Sequence, residues 1–232
     1  MSEMRPHENR ILAALPADEY EWLAPHLEPV ALTLSEILFR PDETLTHVYF
    51  PTSSIVSLLT DLSDGTGMEV GLVGREGMAG VSAILGGDET KLGTVQLEGE
   101  AFSLKAAQLQ AEFQQGGMLQ SALLRYTHAL MTQISQSVVC NARHGVEGRL
   151  ARWLLMFRDR SDSDEFELTH EFMANMLGVR RASVSEVAYH LQDLNLISYQ
   201  RGRIRITNRR GLAEFACECY LVVKEKFENF LL

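Results

Sequence analysis

Ten side chains late in the sequence are of types that together read nucleic acid: Thr169, Arg180, Arg181, Ala182, Ser183, Ser185, Glu186, Tyr189, Arg201 and Arg203. An arginine fork fits two phosphate oxygens or the O6/N7 edge of guanine. A glutamate accepts from a cytosine amino group, and an alanine packs on a thymine methyl. Hydroxyls and a phenol reach phosphates, which fixes position without reading sequence. Arg181 is the candidate for a guanine contact, with Ala182 and Glu186 beside it. Arg201 and Arg203 need only an anion to face.

Side chains of this kind work only when elements present them together. From Leu168 to Ile197 the apolar residues recur at helical spacing in two short blocks. The first block holds Phe172, Met173, Met176 and Leu177, with Thr169 placed as its cap and Glu171 favourable to the dipole. Gly178 supplies a left-handed turn. The second block buries Val184, Val187, Ala188, Leu191 and Leu194, which leaves Arg181, Ala182, Ser185, Glu186 and Tyr189 outward, and Asn195 stops it. Ile197 to Ile206 then reads as strand, glycine turn, strand. A helical hairpin that only closes a core has the same periodicity. Three arginines around one turn (Arg201, Arg203, Arg205) have little use without an anion, and this favours a DNA-reading helix-turn-helix with a wing. Two starts for the second helix stay open. If it begins at Ser183, then Ser183-x-x-Glu186 is a capping box, Glu186 reads no base, and Arg180 and Arg181 become phosphate clamps.

The residues Leu168-Thr169, Ala174, Leu177-Gly178, Arg181, Ser183-Val184, Leu191, Leu194 and Leu196-Ile197 follow one known pattern. This stretch resembles the winged-helix domain of the Crp/Fnr family of bacterial transcription regulators. The resemblance implies an α+β chain: an N-terminal antiparallel β-roll (a jelly roll), a long dimerisation helix and a C-terminal winged helix-turn-helix domain. It also implies double-stranded DNA and a second copy of the chain as partners, with RNA polymerase as a further one, and a palindromic operator. Family members carry a Glu after the first arginine of the recognition helix and a second Arg four residues further on. Here Ala182 and Glu186 stand at those places, so the operator should depart from the family's usual one.

Composition sets the bounds. The chain has 232 residues and a net charge of −10, enough for two domains. Residues 1–140 carry 7 Lys+Arg against 18 Asp+Glu, whereas residues 141–211 carry 12 Arg against 9 acids. An acidic front and a basic rear suit a sensor joined to a DNA reader. No apolar run reaches the roughly 18 residues of a membrane span, and the charged N-terminus has no signal-peptide core. Three cysteines, Cys140, Cys217 and Cys219, make no disulfide framework, so a cytoplasmic location with no membrane partner is expected.

After a short helical lead-in at residues 9–24, the sequence changes to short apolar runs. Candidate strands are Val30-Leu34, His47-Phe50, Ser54-Leu59, Glu69-Val73, Thr94-Leu97 and Ala101-Leu104, with turn signals between them, Asp64-Gly65-Thr66-Gly67 among these. Many short strands at this spacing suggest the antiparallel roll. Within it, the resemblance places an effector pocket at Gly80, Val81, Lys91 and Leu92. In nucleotide-binding relatives, Gly-Glu takes the ribose and Arg-Ser or Arg-Thr takes the phosphate. Val81 removes that carboxylate, and Lys91-Leu92 replaces the arginine and the hydroxyl. Cyclic nucleotide control is therefore not expected, and the identity of any small-molecule effector is open.

Other chemistries find little support. No cysteine precedes Cys140, which argues against an iron–sulfur sensor, and His26 and His47 are lone histidines. Cys217-x-Cys219 reads as part of a final helix from Leu212 to Leu232. Within a helix these two side chains diverge by about 200°, so no metal and no cofactor are expected. Nucleophile and phosphate-loop motifs are missing, and no catalytic activity is expected.

Between Gly117 and Gly145 lies one long helical segment. Leu119, Leu123, Tyr126, Leu130, Ile134 and Val138 recur along it and are read as the dimer seam, with Gln133, Ser137 and Asn141 available to fix register. Arg143-His144-Gly145 reads as a hinge, Glu147 to Arg158 as the next helix with Leu150, Trp153, Leu154 and Phe157 inward, and Asp159 to Asp164 as a solvated loop. The expected organisation is a sensor at 1–115, the dimer helix and hinge at 116–145, and the DNA-binding domain at 146–232. The rival is a small-molecule-binding β-roll protein whose C-terminal helices make protein contacts.

Overall fold

The computed structural model describes residues 8–61, 67–161 and 163–231. The Asp64-Gly65-Thr66 part of the expected turn lies outside these residues, as do Asp162 and Leu232. The lead-in is two short helices, α1 (Arg10–Ala13) and α2 (Ala17–Leu23). Asn9 starts α1 with its carboxamide oxygen accepting from Ile11 and Leu12. Its Nδ2 donates to the carbonyls of Pro51 and Gly77, so the cap also pins the roll.

Seven strands follow. They are β1 (Glu28–Leu32), β2 (Ile37–Phe39), β3 (His47–Pro51), β4 (Ile55–Asp61), β5 (Gly67–Val73), β6 (Leu92–Leu97) and β7 (Gly99–Lys105). They form two antiparallel sheets, ordered β1-β7-β3 and β2-β6-β4-β5. Val48, Phe50, Ile55, Val56, Leu72, Val95, Phe102 and Leu104 fill the space between. This is the antiparallel roll expected from the alternating runs. The short α3 (Ser82–Leu85) and α4 (Ala106–Gln115) complete it. Helix α5 (Gly117–Arg143) is the long central helix, and α6 (Val146–Asp159) begins three residues after it ends.

The C-terminal part holds β8 (Glu165–Glu167), α7 (His170–Leu177), α8 (Arg181–Asp193), β9 (Ile197–Gln200), β10 (Arg203–Ile206), α9 (Arg209–Phe215) and α10 (Cys219–Asn229). Strands β8, β10 and β9 make the wing sheet. The fold is α+β: an antiparallel β-roll, a long helix and a winged helix-turn-helix. Among the described residues, no helix is long and apolar enough to cross a membrane.

Four expectations need correction. Leu119, Leu123, Tyr126 and Leu130 are buried inside the chain's own core, and Ile134 packs partly against it. Only Val138 of that proposed seam is free, at 64% exposure. The helix has apolar residues on two sides, and periodicity alone picked the side that faces the roll and α10. Gln133 and Ser137 are likewise buried rather than left for a partner, Gln133 donating to the Leu72 carbonyl, and Asn141 is engaged with Met68. The loop after α6 is not wholly solvated: Arg160 and Ser161 are buried. Arg160 reaches Glu76 Oε1 at 2.7 Å and Gln133 Oε1 at 2.9 Å, and its guanidinium lies 5.2 Å over the Phe227 ring. Finally, the last helix is broken. Ala216 is extended (φ −64°, ψ 151°), which separates α9 from α10. No glycine or proline marks that break. Gly148 permits it, because the Cys217 backbone packs against α6 where a side chain at 148 would crowd it, and the Cys217 N–H donates to the Gly148 carbonyl at 3.4 Å.

Candidate nucleic-acid interface

Thr169 caps α7, its hydroxyl accepting from the Phe172 N–H at 3.1 Å. Helix α7 ends at Gly178, which takes the left-handed conformation (φ 61°, ψ 43°) needed to redirect the chain within three residues. The methyl of Met68, from β5, packs against that glycine where a Cβ would stand. Helix α8 begins at Arg181, with Arg180 as the extended residue before it (φ −72°, ψ 143°). This resolves the open start. Glu186 lies in the second turn of α8, so the capping-box reading falls away.

Arg180, Arg181, Ala182, Glu186 and Tyr189 are exposed, Tyr189 at 66%, while Val184, Val187, Ala188 and Leu191 are buried. Leu194 is exposed because α8 ends before it. Among the described residues, Arg180, Arg181 and Glu186 have no ion-pair or side-chain hydrogen-bond partner, so the face is available. Ser183 is half-buried at the same end. Ser185 is committed inward: its hydroxyl donates to the Arg181 carbonyl at 3.1 Å and lies 2.8 Å from His170 Nδ1.

The wing turn is Arg201-Gly202, both at positive φ (51° and 82°), as a two-residue primed hairpin turn requires. Arg201 is exposed there. Arg203 and Arg205 point from β10 but pair with Glu167 and Glu165 of β8. These exposed pairs contribute little, so either arginine can exchange its carboxylate for a phosphate. The Leu168 N–H donates to the Gly202 carbonyl at 2.8 Å, which ties the wing to the entry of α7.

His170, which sequence reading passed over, joins the three parts. Its ring stacks on Tyr199 of the wing with centroids 4.1 Å apart, while Nδ1 meets Ser185 of α8. Burial first, and the Arg181 charge second, hold its pKa below the ordinary histidine value. The ring therefore stays neutral at neutral pH and adds no charge to the face. No motif marks it; only the folded contact does.

The expected effector residues have a cavity. A pocket of about 250 Å³ lies between the roll and α5. Gly80, Val81 and Lys91 line it, together with Thr127, Leu130 and Met131 of α5. Leu92, the first residue of β6, is not among the lining residues, a correction to the sequence expectation. Glu89 is the unforeseen member. It is buried, its Oε1 accepts from the Thr90 and Lys91 N–H groups at 2.9 and 3.1 Å, and its Oε2 accepts from Ser82 Oγ at 2.7 Å.

Residues 148–215 match the family model for the Crp-like helix-turn-helix domain. No curated protein sequence matches the chain. Among solved structures, a Crp/Fnr-family transcriptional regulator from Eubacterium rectale is 14% identical, with a TM-score of 0.70 over 90% of this chain and 98% of that one. FixK2 from Bradyrhizobium japonicum is 16% identical, with a TM-score of 0.70 over 82% and 98%. The c-di-GMP-responsive global regulator CLP from Xanthomonas campestris is 16% identical, with a TM-score of 0.66 over 82% and 99%. Residues 148–215 are thus a Crp-like helix-turn-helix domain, carried in a chain that has the fold of the Crp/Fnr transcription regulators.

Proposed function

We propose that the chain is a non-enzymatic, cytoplasmic transcription regulator that binds a palindromic DNA operator as a homodimer. The observation that carries this is the exposed row Arg181, Ala182, Glu186 and Tyr189 on α8, preceded by Arg180 and flanked by Arg201 on the wing. An α-helix fits the major groove, and a basic turn beside it meets the adjoining phosphates. RNA polymerase is the further partner for a regulator of this kind.

The dimer forms along the outer side of α5. Leu124, Met131 and Val138 are 50%, 62% and 64% exposed and recur every seven residues, the spacing of a two-helix seam. Met131 also lines the cavity, so a ligand there would touch the seam. Cyclic nucleotide is not that ligand. Glu89 already takes the Thr90 and Lys91 amides in this pocket, which are then closed to a phosphate. Calorimetry with cyclic AMP and cyclic GMP should show no low-micromolar binding.

Selection of bound sites from random DNA by the full-length protein tests the whole reading. The expected product is a near-palindrome with half-sites about one helical turn, ~10 bp, apart. Recovery of unenriched DNA would overturn it.

A further inference from the structure

Cys140, His144, Cys217 and Cys219 bring one donor atom each to a single point, all four within 4.8 Å of one another. They come from two places. Cys140 lies in the last turn of α5 and His144 directly follows that helix, four residues apart and so on one face. Cys217 and Cys219 flank the start of α10. The break at Ala216 is what turns both toward α5, against the divergence that an unbroken helix would impose.

We propose that these four residues form a closed tetrahedral zinc site that staples the end of α5 to the start of α10. A zinc ion with Zn–S about 2.3 Å and Zn–N about 2.0 Å spaces its donors roughly 3.5–3.8 Å apart. Here the Cys140 and Cys217 sulfurs are 3.5 Å apart, and Cys219 Sγ lies 3.5 Å from His144 Nδ1. The donor set, three thiolates and one imidazole, is a common structural zinc set.

The surroundings complete it. His144 Nε2 lies 3.2 Å from Glu218 Oε2, the carboxylate-on-histidine arrangement that fixes a ligating ring. Gln136 Nε2 donates to Cys219 Sγ at 3.1 Å. Zinc with three thiolates carries a net charge of about −1. Arg149 and Arg152 lie within charge–charge range of Cys140, both are buried, and Arg149 Nε, Arg152 Nε and Arg152 NH1 have no hydrogen-bond partner among the described residues. Buried cations are stabilised by a counter-charge, and an anionic metal–thiolate centre supplies one. The site straddles the chain reversal between α5 and α6, so the ion would couple the long helix to the C-terminal domain without touching the DNA-facing residues.

The test uses the full-length chain purified under reducing conditions, with elemental analysis, followed by removal of metal and titration with cobalt(II). The expected result is one zinc per chain and, with cobalt, the visible bands and thiolate charge transfer of a tetrahedral centre. Chelation should lower the melting temperature. Cys140→Ser/Cys219→Ser should lose stoichiometric zinc, His144→Cys should keep it, and Glu218→Ala should weaken it about tenfold. The cobalt spectrum of the unmutated protein stands whether or not the serine variant folds. Absence of metal from the reduced protein, an octahedral cobalt spectrum, or full zinc content in the folded double variant would overturn the site. So would a Cys140–Cys217 disulfide trapped from cells with no metal bound after reduction, which would make the cluster a redox pair.

Discussion

At the scale of single residues, position within an element decides what a side chain can do. Arg181 is the first residue of α8, exposed and without a partner, where a helix entering the major groove brings side chains to base edges. Arg181→Ala should relax preference at one base pair by about 1–3 kcal/mol. Arg201→Ala, on the wing, should weaken all sequences alike and make the salt dependence shallower. Comparing selected sites and salt slopes for the two variants checks this, and uniform weakening from both would remove the base-reading role. Arg181 was legible because the apolar stripe of Val184, Val187 and Leu191 fixes the opposite face. The helix start was not, since Arg180 is a poor cap and Ser183-x-x-Glu186 mimics a good one. His170 was invisible for another reason: stacking on Tyr199, 29 residues away in sequence, is a product of packing.

Between elements, two buried polar contacts hold the roll against the C-terminal domain. Arg160, just after α6, pairs with Glu76 of the roll, both side chains under 10% exposed. Removing one partner strands the other charge, so Glu76→Gln or Arg160→Met should destabilise the chain by about 3–5 kcal/mol in denaturant unfolding. The double change should recover part of that loss, which distinguishes a stranded charge from lost packing. The second contact is Glu69 on β5, which accepts from Trp153 Nε1 of α6 at 2.7 Å and from Ser57. Burial pushes the Glu69 carboxyl up to about 7, against the opposing pull of those hydrogen bonds and of Arg152 and Arg160. The folded chain therefore holds this proton between the ordinary carboxylate range and about pH 7, where the unfolded chain has released it. Stability should fall as pH rises through that window, and Glu69→Gln should flatten the profile of melting temperature from pH 5 to 8. Six of the seven roll strands were readable from turn residues and alternation, to within a few residues, whereas the three-residue β2 (Ile37–Phe39) and β8 (Glu165–Glu167) are too short to show an alternation. These contacts were not, because a charged residue in a polar loop, such as Arg160, carries no local sign of burial. The Ala216 break was hidden likewise, since the glycine that makes room for it, Gly148, lies some 70 positions earlier.

The whole molecule turns on the two faces of α5. One carries Leu119, Leu123, Tyr126 and Leu130 into the roll and against α10, where Tyr126 meets Phe227 and Phe230 at 6.2 and 6.0 Å between ring centroids. The other leaves Leu124, Met131 and Val138 in solvent over fifteen residues, about 21 Å of helix. A 27-residue helix with apolar residues on both sides is long enough to serve its own fold and a second copy. The length of α5 was legible in the sequence, but which of its sides packs into the chain's own core was not, since both sides satisfy a helical period. The distinction is testable. Leu123→Glu places a charge in the core and should cost the fold itself, with loss of the cooperative thermal transition. Met131→Glu changes an exposed residue and should leave the melting transition of the isolated chain intact. In a dimer it would set two carboxylates across the seam. Light scattering should then show a folded monomer, and operator binding should weaken about 10²-fold or more, because one reading head loses the help of the other. A Met131→Glu protein that stays dimeric with full operator affinity would move the seam off this face of α5.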